Sequence, residues 1–211
     1  MSENRSKFYR LSIDVIYAFI IGISFLQLND VVTPFERIFQ NGFVILGVSL
    51  IYLIIISGWD GYHKSIKKQP HTGTVGTFRY VIDLLITLIV YILLIVSKPP
   101  EDSFTWYWEI FLYLLPILFT LYVIWDGFKF HEFTKIYPDY EPTVPFKGFI
   151  ITFYFAIGTL ILSFVYHSLL IYLLIEPIYD TNMITFDVVF IGIYIAYILG
   201  YRISKRVLVH N

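Results

Sequence analysis

Arg79-Tyr80-Val81-Ile82-Asp83-Leu84-Leu85-Ile86-Thr87-Leu88-Ile89-Val90-Tyr91-Ile92-Leu93-Leu94-Ile95-Val96-Ser97-Lys98 holds a single charged residue, Asp83, between its flanking cations. A helix needs about 20 mainly apolar residues to cross roughly 30 Å of hydrocarbon, and this stretch has that length and that composition. Lipid offers no partner for backbone N–H and C=O groups, so such a segment crosses as a helix. Working outward, five further stretches read the same way, and the expected spans lie near 11–28, 42–59, 80–97, 107–125, 149–175 and 185–201. The sequence therefore predicts an all-α, polytopic membrane protein of six transmembrane helices, a single integral membrane domain over 1–211.

Composition agrees. Of 211 residues, 57% are hydrophobic and 15% charged, against about 25% charged in soluble domains. A formal charge of -1 gives no basic surplus for nucleic-acid phosphates, so no nucleic acid is expected as a partner. With Cys 0 there is no disulfide, no thiol catalysis and no thiolate metal site. The first span carries Asp14 early and ends in Gln27, Asn29 and Asp30 without a small-residue cleavage pattern, so it reads as a retained helix.

Orientation follows from the basic residues. Arg5, Lys7 and Arg10; Lys64, Lys67, Lys68 and Arg79; Lys129, Lys135 and Lys147; and Arg202, Lys205 and Arg206 fall on one side, leaving only Arg37 and Lys98 on the other. Positive residues stay inside, which places both termini in the cytoplasm. Aromatics form interfacial belts at Phe104, Trp106, Tyr107 and Trp108 outside and at Trp59, Tyr62, Trp125, Phe128 and Phe130 inside. Gln69–Thr77, rich in Gly and Thr, is the most linker-like segment.

The chain also repeats itself. Tyr9-Arg10 followed by Asp14 recurs as Phe78-Arg79 followed by Asp83, and Phe146-Lys147 begins a third unit. Trp59-Asp60-Gly61-Tyr62 recurs as Trp125-Asp126-Gly127-Phe128. Three repeated helical hairpins, about 9–68, 78–135 and 146–206, account for this, the third lacking both the Asp and the Trp-Asp-Gly ending. Each full unit sets an Arg and two Asp at one depth, giving a cytoplasmic charge network of Arg10, Asp60, Arg79 and Asp126 with Asp14 and Asp83 about 6 Å further in. Charges inside spans pair or face water. Two readings fit this layer: a clamp that closes each hairpin, or a cation-attracting mouth. In the clamp each Arg meets the Asp four residues on along its own helix or, since that order opposes the helix dipole, Arg10 and Arg79 reach Asp60 and Asp126 across helices.

Asp83, Thr87 and Tyr91 recur at helical spacing as a polar stripe on the third span, suited to an ion path or to interhelical packing. His167 stands near the outer end of the fifth span, one turn after Ser163, where it could relay protons or hydrogen-bond a neighbour. Pro116 kinks the fourth span. The other His residues, His63, His71, His131 and His210, have no spacing that demands a metal, and no metal or cofactor is expected. No His-Glu-x-x-His, Gly-x-Ser-x-Gly, phosphate loop or Gly-x-Gly-x-x-Gly occurs, so the chain is not read as an enzyme.

The run Arg10-Leu11-Ser12-Ile13-Asp14, with Trp59 and His63 after it, resembles the first helices of the six-span potassium channels of endolysosomes and bacteria, whose signature is Phe-Ser-Asp after an Arg. Here Ile13 separates Ser12 from Asp14. The resemblance covers about thirty residues and implies a channel. Together these features lead to an oligomeric, cation-conducting channel or pore, a homo-oligomer in the bilayer, with Asp14, Asp83, Thr87, Tyr91 and His167 as ion-path or gating candidates. Two alternatives stand beside it. One is a sensor or scaffold that recruits a soluble cytoplasmic partner through its basic loops; the other is a small-solute transporter.

Overall fold

A computed structural model describes residues 2–32, 42–68, 73–97, 104–136, 143–175 and 181–210. They form six helices: α1 (Ser2–Val32), α2 (Gly42–Lys68), α3 (Gly73–Val96), α4 (Phe104–Ile136), α5 (Thr143–Ile175) and α6 (Thr181–His210). Each contains a segment long and apolar enough to cross a membrane. This is a multi-pass integral membrane protein, and six crossings return both termini to the same face.

Helix–helix packing closes a ring in the order α1, α2, α6, α5, α4, α3 and back to α1, with α2 also touching α3 through the middle. Consecutive helices pack as neighbours in each of the pairs α1/α2, α3/α4 and α5/α6. The core they enclose is apolar: Ile51 and Ile55 from α2, Val90 and Leu94 from α3, Leu115 and Phe119 from α4, Ile191 and Ile198 from α6. Long side chains on the outer faces, such as Val15, Phe19, Leu88, Phe164 and Ile203, are exposed, as lipid requires. Of the α1 span only 22% is buried, against 44% for α2, α3 and α4, because α1 packs more sparsely on its neighbours than any other helix.

Several helices outrun the hydrophobic stretches that mark them. At the basic end α2 continues to Lys68, α4 to Ile136 and α6 to His210, since hydropathy registers the thickness of lipid and not the end of a helix. Tyr62, expected in an interfacial belt, is instead core, 6% exposed.

Polar groups inside the bundle are used to join helices. Pro116 has no N–H, so the carbonyl four residues before it, Leu112, loses its intrahelical donor. Ser163 of α5 supplies one: its hydroxyl donates to Leu112 O at 2.9 Å and also lies 2.9 Å from the Tyr194 hydroxyl of α6. Two turns nearer the basic end, Tyr197 of α6 donates to Phe155 O at 2.8 Å, its hydroxyl lying in the notch where Gly158 has no Cβ.

Ser163→Ala is expected to cost about 1–2 kcal/mol of unfolding free energy by stranding the Leu112 carbonyl. In the Pro116→Ala/Ser163→Ala double variant the restored N–H at 116 recovers part of that loss. Reversible denaturation in detergent checks both.

Candidate functional site

The most polar part of the bundle is the layer at its basic end. α3 enters it with Arg79 one helical turn before Asp83, and both are buried, at 0% and 5% exposure. Arg79 Nη1 donates to Glu132 Oε2 of α4 at 2.5 Å, and its guanidinium lies 5.0 Å from the Trp125 ring centre. Lys129 Nζ is 5.5 Å from the same ring centre. Trp125, Lys129 and Glu132 fall on one face of α4 by their i, i+4, i+7 spacing.

The two Trp-Asp-Gly acids are held from α6. Asp126 Oδ2 accepts Lys205 Nζ at 2.6 Å and the Thr152 hydroxyl at 2.5 Å, with Tyr201 Oη 3.3 Å from that hydroxyl. Asp60 Oδ2 accepts Lys64 Nζ at 2.6 Å on its own helix and lies 3.6 Å from Arg206 Nη2. Consecutive cations of one helix thus reach both acids.

This differs from the cross-helix clamp the repeat suggested. Arg10 stays on its own helix, its Nε 3.8 Å from Asp14 Oδ2, and is half-exposed, while Arg79 goes to Glu132. Ring order is the reason. α1 packs only on α2 and α3, so Arg10 faces outward, whereas its sequence counterpart on α3 has three neighbours and is buried. Asp14 is instead tied to α2 by His63, Nε2 to Oδ1 at 3.3 Å, and the His63 ring lies 4.7 Å from that of Trp59.

Aromatic side chains surround the acids of the layer, with Tyr17 and Tyr122 on its membrane side. Tyr17, Tyr62 and Tyr122, from three different helices, all lie within electrostatic range of Asp83, and Tyr62 also within range of Asp14. A Cβ at Gly58 would meet the hydroxyls of Tyr17 and Tyr122 at 3.2 and 3.3 Å, so the glycine lets both side chains approach α2. Arg202 completes the group, its guanidinium 5.1 Å from the Tyr201 ring centre and 5.9 Å from that of Tyr122. Among the described residues the protein leaves His63 Nδ1, Ser65 Oγ, Trp125 Nε1 and Arg202 Nε buried without a hydrogen-bond partner, so the layer keeps polar capacity unused.

Asp14 and Asp83 therefore both lie within electrostatic range of Tyr62, with Arg10, Asp60, Arg79 and Asp126 in the same layer. Thr87 is buried but turns its hydroxyl to Leu84 O at 2.9 Å. Tyr91 lines an apolar groove of about 250 Å³ between α1 and α3, together with Phe19, Thr87 and Leu88. His167 lies at the opposite end of the bundle, its ring stacked on Tyr113 at 4.2 Å, near Tyr166, whose hydroxyl donates to Asp187 at 2.7 Å. It belongs to a different polar group.

Glu132, Arg202 and Lys205 are among the members of the layer that carry no role in the sequence reading. Arg202 and Lys205 counted there only as positive flanks, and Glu132 fell in an expected loop. The helical spacing from Trp125 to Glu132 is the signal that finds the latter. Among the described residues no group of three or more His, Asp or Glu gathers as a metal site. No protein-family model, curated protein or solved structure matches the chain.

Glu132→Gln takes a carboxylate partner from the buried Arg79, for an expected loss of up to about 3–5 kcal/mol. Replacing the pair together, Arg79→Met/Glu132→Met, loses clearly less. Equal losses in chemical denaturation would show that Glu132 is not the counter-ion.

Proposed function

We propose that this protein is an ion-conducting membrane protein, closed in the conformation described, whose cation path enters the bundle at the charged layer. The observation that carries the reading is the placement of Asp83: a carboxylate inside the ring of helices, flanked by three tyrosines, directly beneath a packed apolar section. Asp14, Asp83, Asp126 and Glu132 set four carboxylates among the cations Arg79, Lys129, Arg202 and Lys205, and carboxylate oxygens at the mouth of a path attract cations. Above it, Ile86, Val90 and Leu94 line a dry segment that suits gating by dewetting.

The path in this reading runs through one chain. Asp83 and Thr87 face the protomer interior, so an axis between copies does not take them as its lining. A homo-oligomer then assembles closed units side by side, and no catalysis or cofactor enters. Both termini and the charged layer are assigned to the cytoplasmic side, on the strength of the Lys and Arg that gather there.

Purified protein in sealed liposomes is expected to pass monovalent cations, and Asp14→Asn/Asp83→Asn to lower the flux or its selectivity at least several-fold with assembly unchanged. Vesicles that stay tight around well-folded protein would move the assignment to a scaffold that recruits a soluble partner. Because the chain has Cys 0, single introduced cysteines report topology cleanly. Ser2→Cys is expected to react with an impermeant maleimide only from the cytoplasmic side, and Ser103→Cys only from the other.

A further inference from the structure

Arg202 stands apart from the cations around it. Arg10, Lys64, Arg79, Lys205 and Arg206 each reach a carboxylate. Arg202, three residues before Lys205, forms no ion pair among the described residues. Its guanidinium is held on the ring faces of Tyr201 and Tyr122, and its Nε is buried with no hydrogen-bond partner. Aromatic faces attract a cation through the ring quadrupole without neutralising its charge.

The seat is built for that group. A Cβ at Gly61 would stand 3.2 Å from Nη1, so the glycine of the first Trp-Asp-Gly ending leaves the room the guanidinium takes. Tyr17 and Tyr122 lie within electrostatic range of both Arg202 and Asp83, so the same two hydroxyls feel the cation and the carboxylate. Just beyond it on α6, Ile198 and Tyr194 are fully packed into the apolar core. The guanidinium therefore sits where the polar layer ends and the dry segment begins.

We propose that Arg202 is a tethered cation that fills the cation site beside Asp83 and keeps the path blocked, the aromatic seat holding it there without a permanent ion pair. This rests on reading the layer as a cation path. A side chain held on aromatic faces can leave its seat at lower cost than one locked to a carboxylate, which gives the block a way to open. Free guanidinium ion matches the tethered group in charge and shape and is the natural probe.

In liposomes, Arg202→Ala is expected to raise monovalent-cation flux several-fold over wild type, and millimolar guanidinium added to the basic side to restore the block in that variant alone. Gly61→Ala, which retains the arginine but crowds its seat, is expected to raise flux as well and serves if Arg202→Ala does not fold. Flux at or below wild type in a folded variant overturns the proposal, as does a rise that guanidinium leaves unchanged, which marks Arg202 as structural. Melting temperature separates this from the wider reading. If neither protein conducts yet guanidinium stabilises Arg202→Ala, and fails to stabilise Arg202→Ala/Asp83→Asn, the cation site stands and the path reading falls. Absence of that stabilisation in non-conducting protein overturns the site too.

Discussion

Burying Arg79 is the constraint on which the basic end of this bundle depends. A guanidinium with no exposed surface, at the mouth of a span and away from bulk water, is tolerated only with a counter-ion and a stacking surface in contact. Glu132 supplies the first and Trp125 the second, both from α4. To bring Glu132 within reach, α4 must continue as helix well past the hydrocarbon and lie along α3. Once α3 and α4 are fixed in that way, Asp126 on the same helix faces α5 and α6, where Thr152 and Lys205 meet it. One ion pair thus sets the register of the helices that build the charged layer.

The opposite half of the bundle solves the complementary problem. There the spans are nearly free of charge, and the cost lies in polar backbone atoms that a kink exposes. Pro116 frees one carbonyl, and a serine from the next helix satisfies it and passes the contact on to a tyrosine of α6. The notch at Gly158 lets a second tyrosine of α6 do the same for Phe155. Between the Ser163 bonds and the charged layer the core is mainly apolar packing, joined by the Tyr197–Phe155 bond near its lower edge. The division into a polar entrance and a dry interior is what gives the ion-path reading its physical content.

Much of the architecture was legible in the sequence, because the number and placement of spans follow from hydropathy alone. Each expected span falls inside one helix, save that the third runs one residue past α3, to Ser97. The ends were not legible: α4 was expected to finish near Trp125, yet runs to Ile136, since charged residues that pair along or between helices continue a helix in water. For the same reason Glu132 was invisible as a partner. Internal likeness misled where it was pressed to environments. Arg10 and Arg79 occupy matching places in the sequence, but neighbour number, which only the ring order fixes, leaves one half-exposed and buries the other. Asp14 and Asp83 were recognised as a pair of carboxylates at one depth, while the tyrosines, Gly58 and Arg202 around them come from helices whose adjacency no linear pattern states.

The central claim is that the charged residues form an internal layer reached from the basic end, under a dry section of the same chain. Single cysteines along α3 test it directly, at 83 and 90 on the inward face and at 85 and 88 on the outward face, using a small charged thiol reagent applied to oriented proteoliposomes. The expected result is reaction at 83 from the basic side only and none at 85, 88 or 90 in the resting protein. Reaction at 85 or 88 with 83 protected would place the polar face of α3 outside the bundle and contradict the account.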